Sequence, residues 1–241
     1  MVWVHLTPGG NSREVYATRR KIASIGPGLT NCRQQRILPS RALSGQHNNE
    51  TQETTMQLFG SYTSPYVRHC RIALSETGTE FTLTETDHAA SAKQSPAQRV
   101  PFMEDGNVRL HDSASILKYV RERAGQAWMA DVQQYDLFCL CNTALDATIN
   151  VFLLERSGVD PQSNDYLKRQ SGRIRTTVEA LEALAAERGL QWNDGSIRLA
   201  CFMDWAIYRQ RFDFSAYPTL TQWLKEASAR DEFKATAPPP Q

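Results

Sequence analysis

The feature that most limits what this chain can fold into is a change of pattern at Gly125. Ahead of it, apolar residues come in short runs separated by turn signals. Beyond it, they recur at helical steps over long stretches. Such a chain is expected to hold a small unit of mixed strands and helices, followed by an all-helical one. The length of 241 residues suits two small units, and a hydrophobic fraction of 41% supplies a core for each.

The first unit reads element by element. Residues 57–60 are short and apolar-centred, a strand. Ser64-Pro65 reads as an N-cap followed by proline at the first helical position. Val67, Cys70, Arg71 and Leu74 fall on helical spacing, and Gly78 is a natural stop. Residues 81–84 are β-branched and aromatic, a second strand. Residues 87–98 are small and polar, a loop or a weak helix. Residues 101–104 and 108–110 read as strands joined by a turn at Asp105-Gly106. A helix then begins near Asp112, with Ile116, Leu117 and Val120 on one side. This β-α-β, then β-β-α, order resembles the plan of a thioredoxin-like domain.

The second unit holds long helices marked by Phe138, Leu145 and Ile149, then by Leu167, Ile174 and Leu181. A third helix is expected from Ser196 through Trp205 and a fourth over 220–229, with a frayed tail from Ala237. The expected division is 56–125 for the α/β unit and 131–235 for the helical unit.

Residues 1–55 differ from both. They are rich in arginine, poor in acid, and show no stable period of either kind. They read as disordered. Three explanations stay open: a flexible extension, an organellar address, or an upstream stretch joined to a start at Met56, the one favoured here.

Composition excludes several classes. Lys and Arg number 27 against 26 Asp and Glu, so the chain carries no electrostatic footprint for nucleic acid or an anionic membrane. No run of about 18 apolar residues is present, so no transmembrane helix is expected, and no apolar secretory segment opens the chain. Five cysteines at irregular spacing argue against a disulfide framework or a zinc site and for a reducing, cytoplasmic setting.

Three segments carry chemistry. In the first, Ser61-Tyr62-Thr63-Ser64-Pro65-Tyr66-Val67-Arg68, a strand hands over to a helix. A helix N-terminus offers unpaired N–H groups and the positive end of its dipole, which favour an anion or a thiolate. A hydroxyl there adds one hydrogen bond to a sulfur. The plain reading is an ordinary serine cap. Ser-Pro-Tyr-Val is similar to the Cys-Pro-Tyr-Cys redox motif with both cysteines gone, so the thiol would be a ligand's. The second is Arg99-Val100-Pro101-Phe102. A Val-Pro bond entering a strand can be cis, and the residue before such a proline can offer its backbone to a peptide; the plain reading is a proline at a strand start. The third is His111-Asp112-Ser113. It is either a helix cap or a cluster in which Asp112 faces an ammonium while Ser113 and helix N–H groups face a carboxylate.

Order and spacing join these signals: a hydroxyl at the first helix, Val100-Pro101 about 36 residues on, Asp112-Ser113 about 11 further, then a helical unit. The arrangement resembles the soluble glutathione transferase superfamily over residues 56–241. Bacterial members with a Thr-Ser-Pro-Tyr/Phe-Val-Arg segment are the nearest likeness. Leu145-Asp146-Ala147 and the run from Ile197 to Arg209, with Trp205, are similar to bundle helices of those members.

The resemblance implies roles. Ser64, or Thr63 as the alternate hydroxyl, would hydrogen-bond the glutathione thiolate. Val100 would pair its backbone with the cysteinyl part. Asp112 and Ser113 would hold the γ-glutamyl end, with Arg99 beside them. Tyr62 and Tyr66 would either line a second-substrate pocket or simply pack. The implied activity is transfer of the glutathione sulfur to a small electrophile by a cytoplasmic homodimer, with no metal and neither nucleic acid nor membrane as partner. The alternatives are a glutathione-binding or protein-interaction member without turnover and, less favoured for want of a cysteine at 64 or 67, a thiol–disulfide reductase. Three departures stand out: Gln98-Arg99 where many members have Gly-Lys, Leu199 where a capping box from Ser196 needs an acid, and His111, expected to face solvent at a strand end.

Overall fold

The computed structural model describes residues 55–240. The expectations for residues 1–55 fall outside them, Thr55 apart.

The α/β part runs β1 (Met56–Gly60), α1 (Pro65–Glu76), β2 (Phe81–Glu85), α2 (His88–Gln94), β3 (Phe102–Asp105), β4 (Val108–Leu110) and α3 (Ser113–Arg123). The sheet order is β2-β1-β3-β4; β1 lies parallel to β2 and antiparallel to β3, and β3 is antiparallel to β4. This is the thioredoxin-like plan. The turn lies one residue later than expected. Asp105 pairs with Val108, so Gly106 and Asn107 form the loop, with Gly106 at φ 58°, where the lack of a Cβ removes the steric penalty. α2 forms because Asp87 caps it, accepting from Ala90 N–H at 2.7 Å.

Strand alternation sends Leu58 and Met103 to one face, where they meet Val67, Cys70 and Leu74 of α1 and Ile116 and Leu117 of α3. Each fully buried Leu or Ile there contributes about 1.5–3 kcal/mol relative to exposure. Phe59 and Phe102 take the other face and stack at 4.5 Å. At the end of β1 a Cβ on Gly60 would come within 2.3 Å of Val67 Cγ2. Only glycine lets α1 start this close to the sheet, and that fixes where Ser64 stands.

The helical part runs α4 (Val132–Arg156), α5 (Asp165–Arg188), α6 (Asp194–Tyr208), α7 (Pro218–Ser228) and α8 (Asp231–Ala235). α6 is the central helix, its residues from Asp194 to Met203 all buried. α4 and α7 pack against it, and α5 packs on both of them. α4 is long and apolar enough, by length and composition, to cross a membrane, although it contains no unbroken apolar run of that length. It carries Asp136, Asn142 and Asp146, and it buries Leu137, Cys141, Ala144 and Leu145 inside the bundle and Phe138 against the α/β core.

Two expectations change. Ser196 is not the first residue of α6 but its third position. Asn193 is the cap, accepting from Ser196 N–H at 3.2 Å, while Ser196 Oγ accepts from Asn193 N–H at 3.1 Å. The box is complete, with serine in place of an acid. The expected frayed tail is preceded by α8, which α1 holds. Arg68 Nη2 donates to Phe233 O at 2.9 Å, and Arg71 Nη1 to Thr236 O at 3.1 Å.

The two halves share a buried charge network. Arg121 of α3 donates from Nε to Asp194 Oδ2 at 3.0 Å and from Nη2 to Glu76 Oε2 at 2.6 Å. His69 of α1 reaches Asp194 Oδ1 from Nε2 at 3.0 Å.

Candidate functional site

The mixed sheet brings three sequence-distant segments to one end. β1 ends at Gly60, β3 begins after Pro101 and β4 ends at Leu110, and the antiparallel pairings put those points side by side. The three predicted segments are the loops at that end.

Ser64 is the N-cap of α1: its Oγ accepts from Val67 N–H at 3.4 Å. Pro65 has no N–H, and Arg68 N–H goes to Ser64 O at 2.9 Å. Tyr66 N–H is therefore the open donor of the first turn. A hydroxyl that accepts through oxygen keeps its proton to give, and among the described residues Ser64 gives it to no acceptor. The Thr63 hydroxyl differs, being paired with Ser61 Oγ at 3.1 Å. Both line a small hollow with Tyr62, Trp205 of α6 and Pro238. Tyr62 is 39% exposed, with the Arg71 guanidinium 5.1 Å over its ring.

Val100-Pro101 is cis. Among the described residues neither the N–H nor the C=O of Val100 is paired. Val100 lines a second cavity of about 50 Å³ together with Tyr66, Arg99, Asp112, Ser113 and His111. Asp112 serves two partners there. Its Oδ1 caps α3 by accepting from Ala114 N–H at 2.8 Å, and its Oδ2 accepts from Arg99 Nη2 at 3.1 Å. Both side chains are more than half exposed, at 62% and 51%, so the ion pair itself is worth about 1 kcal/mol at most. His111 does not face solvent freely: it is half-buried, and its Nδ1 lies 3.1 Å from Ser95 Oγ.

α4 closes this cavity with Asn142 and Asp146. Tyr66 donates its hydroxyl to Asp146. Burial, and then the Asp146 charge beside it, push the Tyr66 phenol well above its usual range, so it acts as a donor and not as a base. Asn142 Oδ1 is buried without a donor among the described residues. Arg198 of α6 is fully buried, donates from Nη2 to Ser113 Oγ at 3.0 Å, and stacks at 5.0 Å on Tyr66 and 4.9 Å on Phe138.

Tyr66, Arg99, Val100, Asp112 and Ser113 thus meet at one cavity, while Tyr62, Thr63 and Ser64 line the neighbouring hollow. Sequence reasoning missed Asn142, Asp146 and Arg198. A lone arginine inside the apolar run 197–203 was the available signal for the last. The buried cysteines are not nucleophiles: burial pushes the Cys70 thiol up to about 12 and that of Cys201 up to about 11. Among the described residues no exposed cysteine lines either cavity.

Residues 58–128 match the family model for the glutathione S-transferase N-terminal domain. An uncharacterized GST-like protein, YibF, of Escherichia coli is 26% identical over 201 residues, covering 76% of this chain and 99% of its own. Among solved structures, a glutathione transferase family member of Pseudomonas fluorescens with bound glutathione is 26% identical, with a TM-score of 0.66 over 76% of this chain and 99% of its own. A glutathione S-transferase of Methylobacterium radiotolerans, complexed with glutathione sulfonate, has a TM-score of 0.69 over 77% of this chain and 96% of its own. At 22% identity that last likeness shows the fold alone. Residues 58–128 thus resemble the glutathione S-transferase N-terminal domain, and about three quarters of the chain is similar to GST-like proteins and glutathione transferase structures.

Proposed function

We propose that the chain binds glutathione at this end of the sheet, ionises its thiol at Ser64 and transfers the sulfur to a small electrophile. The observation that carries the reading is the free proton of the Ser64 hydroxyl beside the open Tyr66 N–H, next to a cavity whose lining suits a free amino acid end. In this reading Asp112 receives the γ-glutamyl ammonium, and Ser113 and the start of α3 receive its carboxylate, with Arg99 beside them. Val100 pairs its open backbone with the cysteinyl unit, which directs the sulfur toward Ser64. Tyr62 borders the second-substrate side. The glutathione bound to the Pseudomonas fluorescens relative supports the assignment.

A free thiol has a pKa of about 8.5, and a helix N-terminus lowers such values to about 3.5–7.5. One hydrogen bond from Ser64 to the ionised sulfur adds about 1.5–3 kcal/mol. The thiol proton leaves to solvent, and the thiolate then attacks the electrophilic carbon and forms a C–S bond. In a substitution the leaving group departs with its bonding pair; in an addition the carbon framework takes the pair and later a proton from solvent. The step as written calls for no metal.

The same reading divides the chain into a glutathione-binding unit over 56–125 and a helical unit over 131–235. It makes the protein a cytoplasmic homodimer acting in detoxification, with neither nucleic acid nor membrane as partner. The test is turnover of a panel of electrophiles and hydroperoxides with glutathione. Saturable conjugation that falls about 10- to 100-fold in Ser64→Ala is expected. Tight glutathione binding with no turnover of any member would reduce the protein to a binding role.

A further inference from the structure

Arg198 is the least economical residue in the structure. It sits in the middle of the bundle at 0% exposure, and among the described residues no carboxylate is paired with it. Its Nε and Nη1 have no acceptor among the described residues. A guanidinium does not shed its proton in a protein, so this is a permanent buried charge. Two aromatic faces offset part of the cost, those of Tyr66 and Phe138. An apolar residue at this place in α6 would avoid the penalty, because its neighbours Ile197, Leu199 and Ala200 are all core residues.

The charge has one outlet. Nη2 donates to Ser113 Oγ at 3.0 Å, and Ser113 lines the cavity with Arg99 and Asp112. A hydroxyl that accepts from a cation is polarised, and its own proton must point elsewhere. Among the described residues no acceptor takes that proton, and the open direction is the cavity. Tyr66 also lines the cavity, its ring against Arg198 and its hydroxyl on Asp146, so the cation, the ring and the cavity wall form one packed unit.

We infer that Arg198 is a positioning residue that makes Ser113 an obligate donor, and so selects ligands that carry an α-carboxylate at the γ-glutamyl end. The inference rests on the glutathione reading above and deepens it. Arg198 touches no ligand itself in this arrangement. It acts through the Ser113 hydroxyl. A ligand with the same peptide and thiol but no α-carboxylate gains nothing from that donor.

The test is calorimetric titration with glutathione and with γ-aminobutyryl-cysteinyl-glycine, which lacks only that carboxylate. The wild type should bind glutathione at least about tenfold more tightly than the analogue. Arg198→Met, which keeps the stem volume and removes the charge, should lose about tenfold toward glutathione and nothing toward the analogue. Ser113→Ala should lose the same selectivity, and the double variant should lose no more than Ser113→Ala alone. A packing defect would weaken both ligands in parallel, and that result overturns the inference, as does an Arg198→Met variant with unchanged selectivity. Should Arg198→Met not fold, Ser113→Ala decides alone: retained preference for glutathione rejects the route through Ser113. A wild type that binds both ligands equally rejects the inference and leaves the glutathione reading standing. A wild type that binds neither rejects both.

Discussion

Single residues in this chain hold two duties each, and their substitutions have to be chosen with that in mind. Asp112 caps α3 through Oδ1 and meets Arg99 through Oδ2. An alanine there removes a cap worth about 1 kcal/mol along with the charge, so the two effects mix. Asp112→Asn keeps an oxygen for Ala114 and discards the charge. It should lower glutathione affinity about tenfold or more while the melting temperature holds, measured by calorimetry and thermal unfolding. Equal affinity in the variant would remove Asp112 from the ammonium site. His69 is a different case. Burial holds its imidazole down at about 4, against an ordinary value of about 6.5. Neutral His69 therefore stabilises the fold fully above about pH 6.5. As pH falls toward 4 the unfolded chain takes up a proton that the folded chain refuses, and on the order of 3 kcal/mol is lost across that window. For Asp194, burial raises the carboxyl, but His69 and Arg121 outweigh it and hold the group at about 2, so its share is lost only below about pH 4. Unfolding midpoints of the wild type should fall between pH 6.5 and 4, and those of His69→Gln should fall less. A wild type whose stability is flat over that window would contradict the neutral, buried state of His69.

Elements were legible where the hydrophobic period was long and obscured where a cap or a tertiary contact decided. Ile116, Leu117 and Val120 mark α3 because they face one core, and Leu167, Ile174 and Leu181 mark α5 because all three are buried. α2 has only Ser91 buried, so no apolar stripe marks it; Asp87 at its start is what makes it helical. α8 is five residues long, too short to show a period, and α1 holds it from outside, Arg68 through Phe233 O and Arg71 through Thr236 O just past its end. From the sequence α6 reads as starting at Ser196, because a serine looks like a cap; it starts at Asp194. The true cap, Asn193, lies three residues before Ser196 and uses it as its return partner. Asn193→Ala should therefore cost about 1–2 kcal/mol, and more than Ser196→Ala costs through the cap alone, read from denaturant unfolding. If Asn193→Ala is neutral, the capping box does not hold the helix start.

At the scale of the whole molecule the site is a property of topology. The sequence shows Ser64, Val100 and Asp112-Ser113 as three weak signals, each with an ordinary cap or strand-start reading. The pairing of β1 with β3, and of β3 with β4, makes them neighbours. Arg198 stands out as a lone arginine in an apolar run, but its relation to Ser113, like that of Asp146 to Tyr66, exists only once α4 and α6 pack against α1 and α3. In the proposed reading the site uses groups from both halves of the fold, and its chemistry turns on the ionisation of a bound thiol beside Ser64. The direct measurement is ultraviolet titration of the thiolate in the glutathione complex of the wild type and of Ser64→Ala, with Thr63→Ala as control. The bound thiol should ionise at least one pH unit below the free value of about 8.5 in the wild type and in Thr63→Ala, and about one to two units higher than that in Ser64→Ala. A bound thiol that titrates like free glutathione in all three proteins would contradict the role of this helix start.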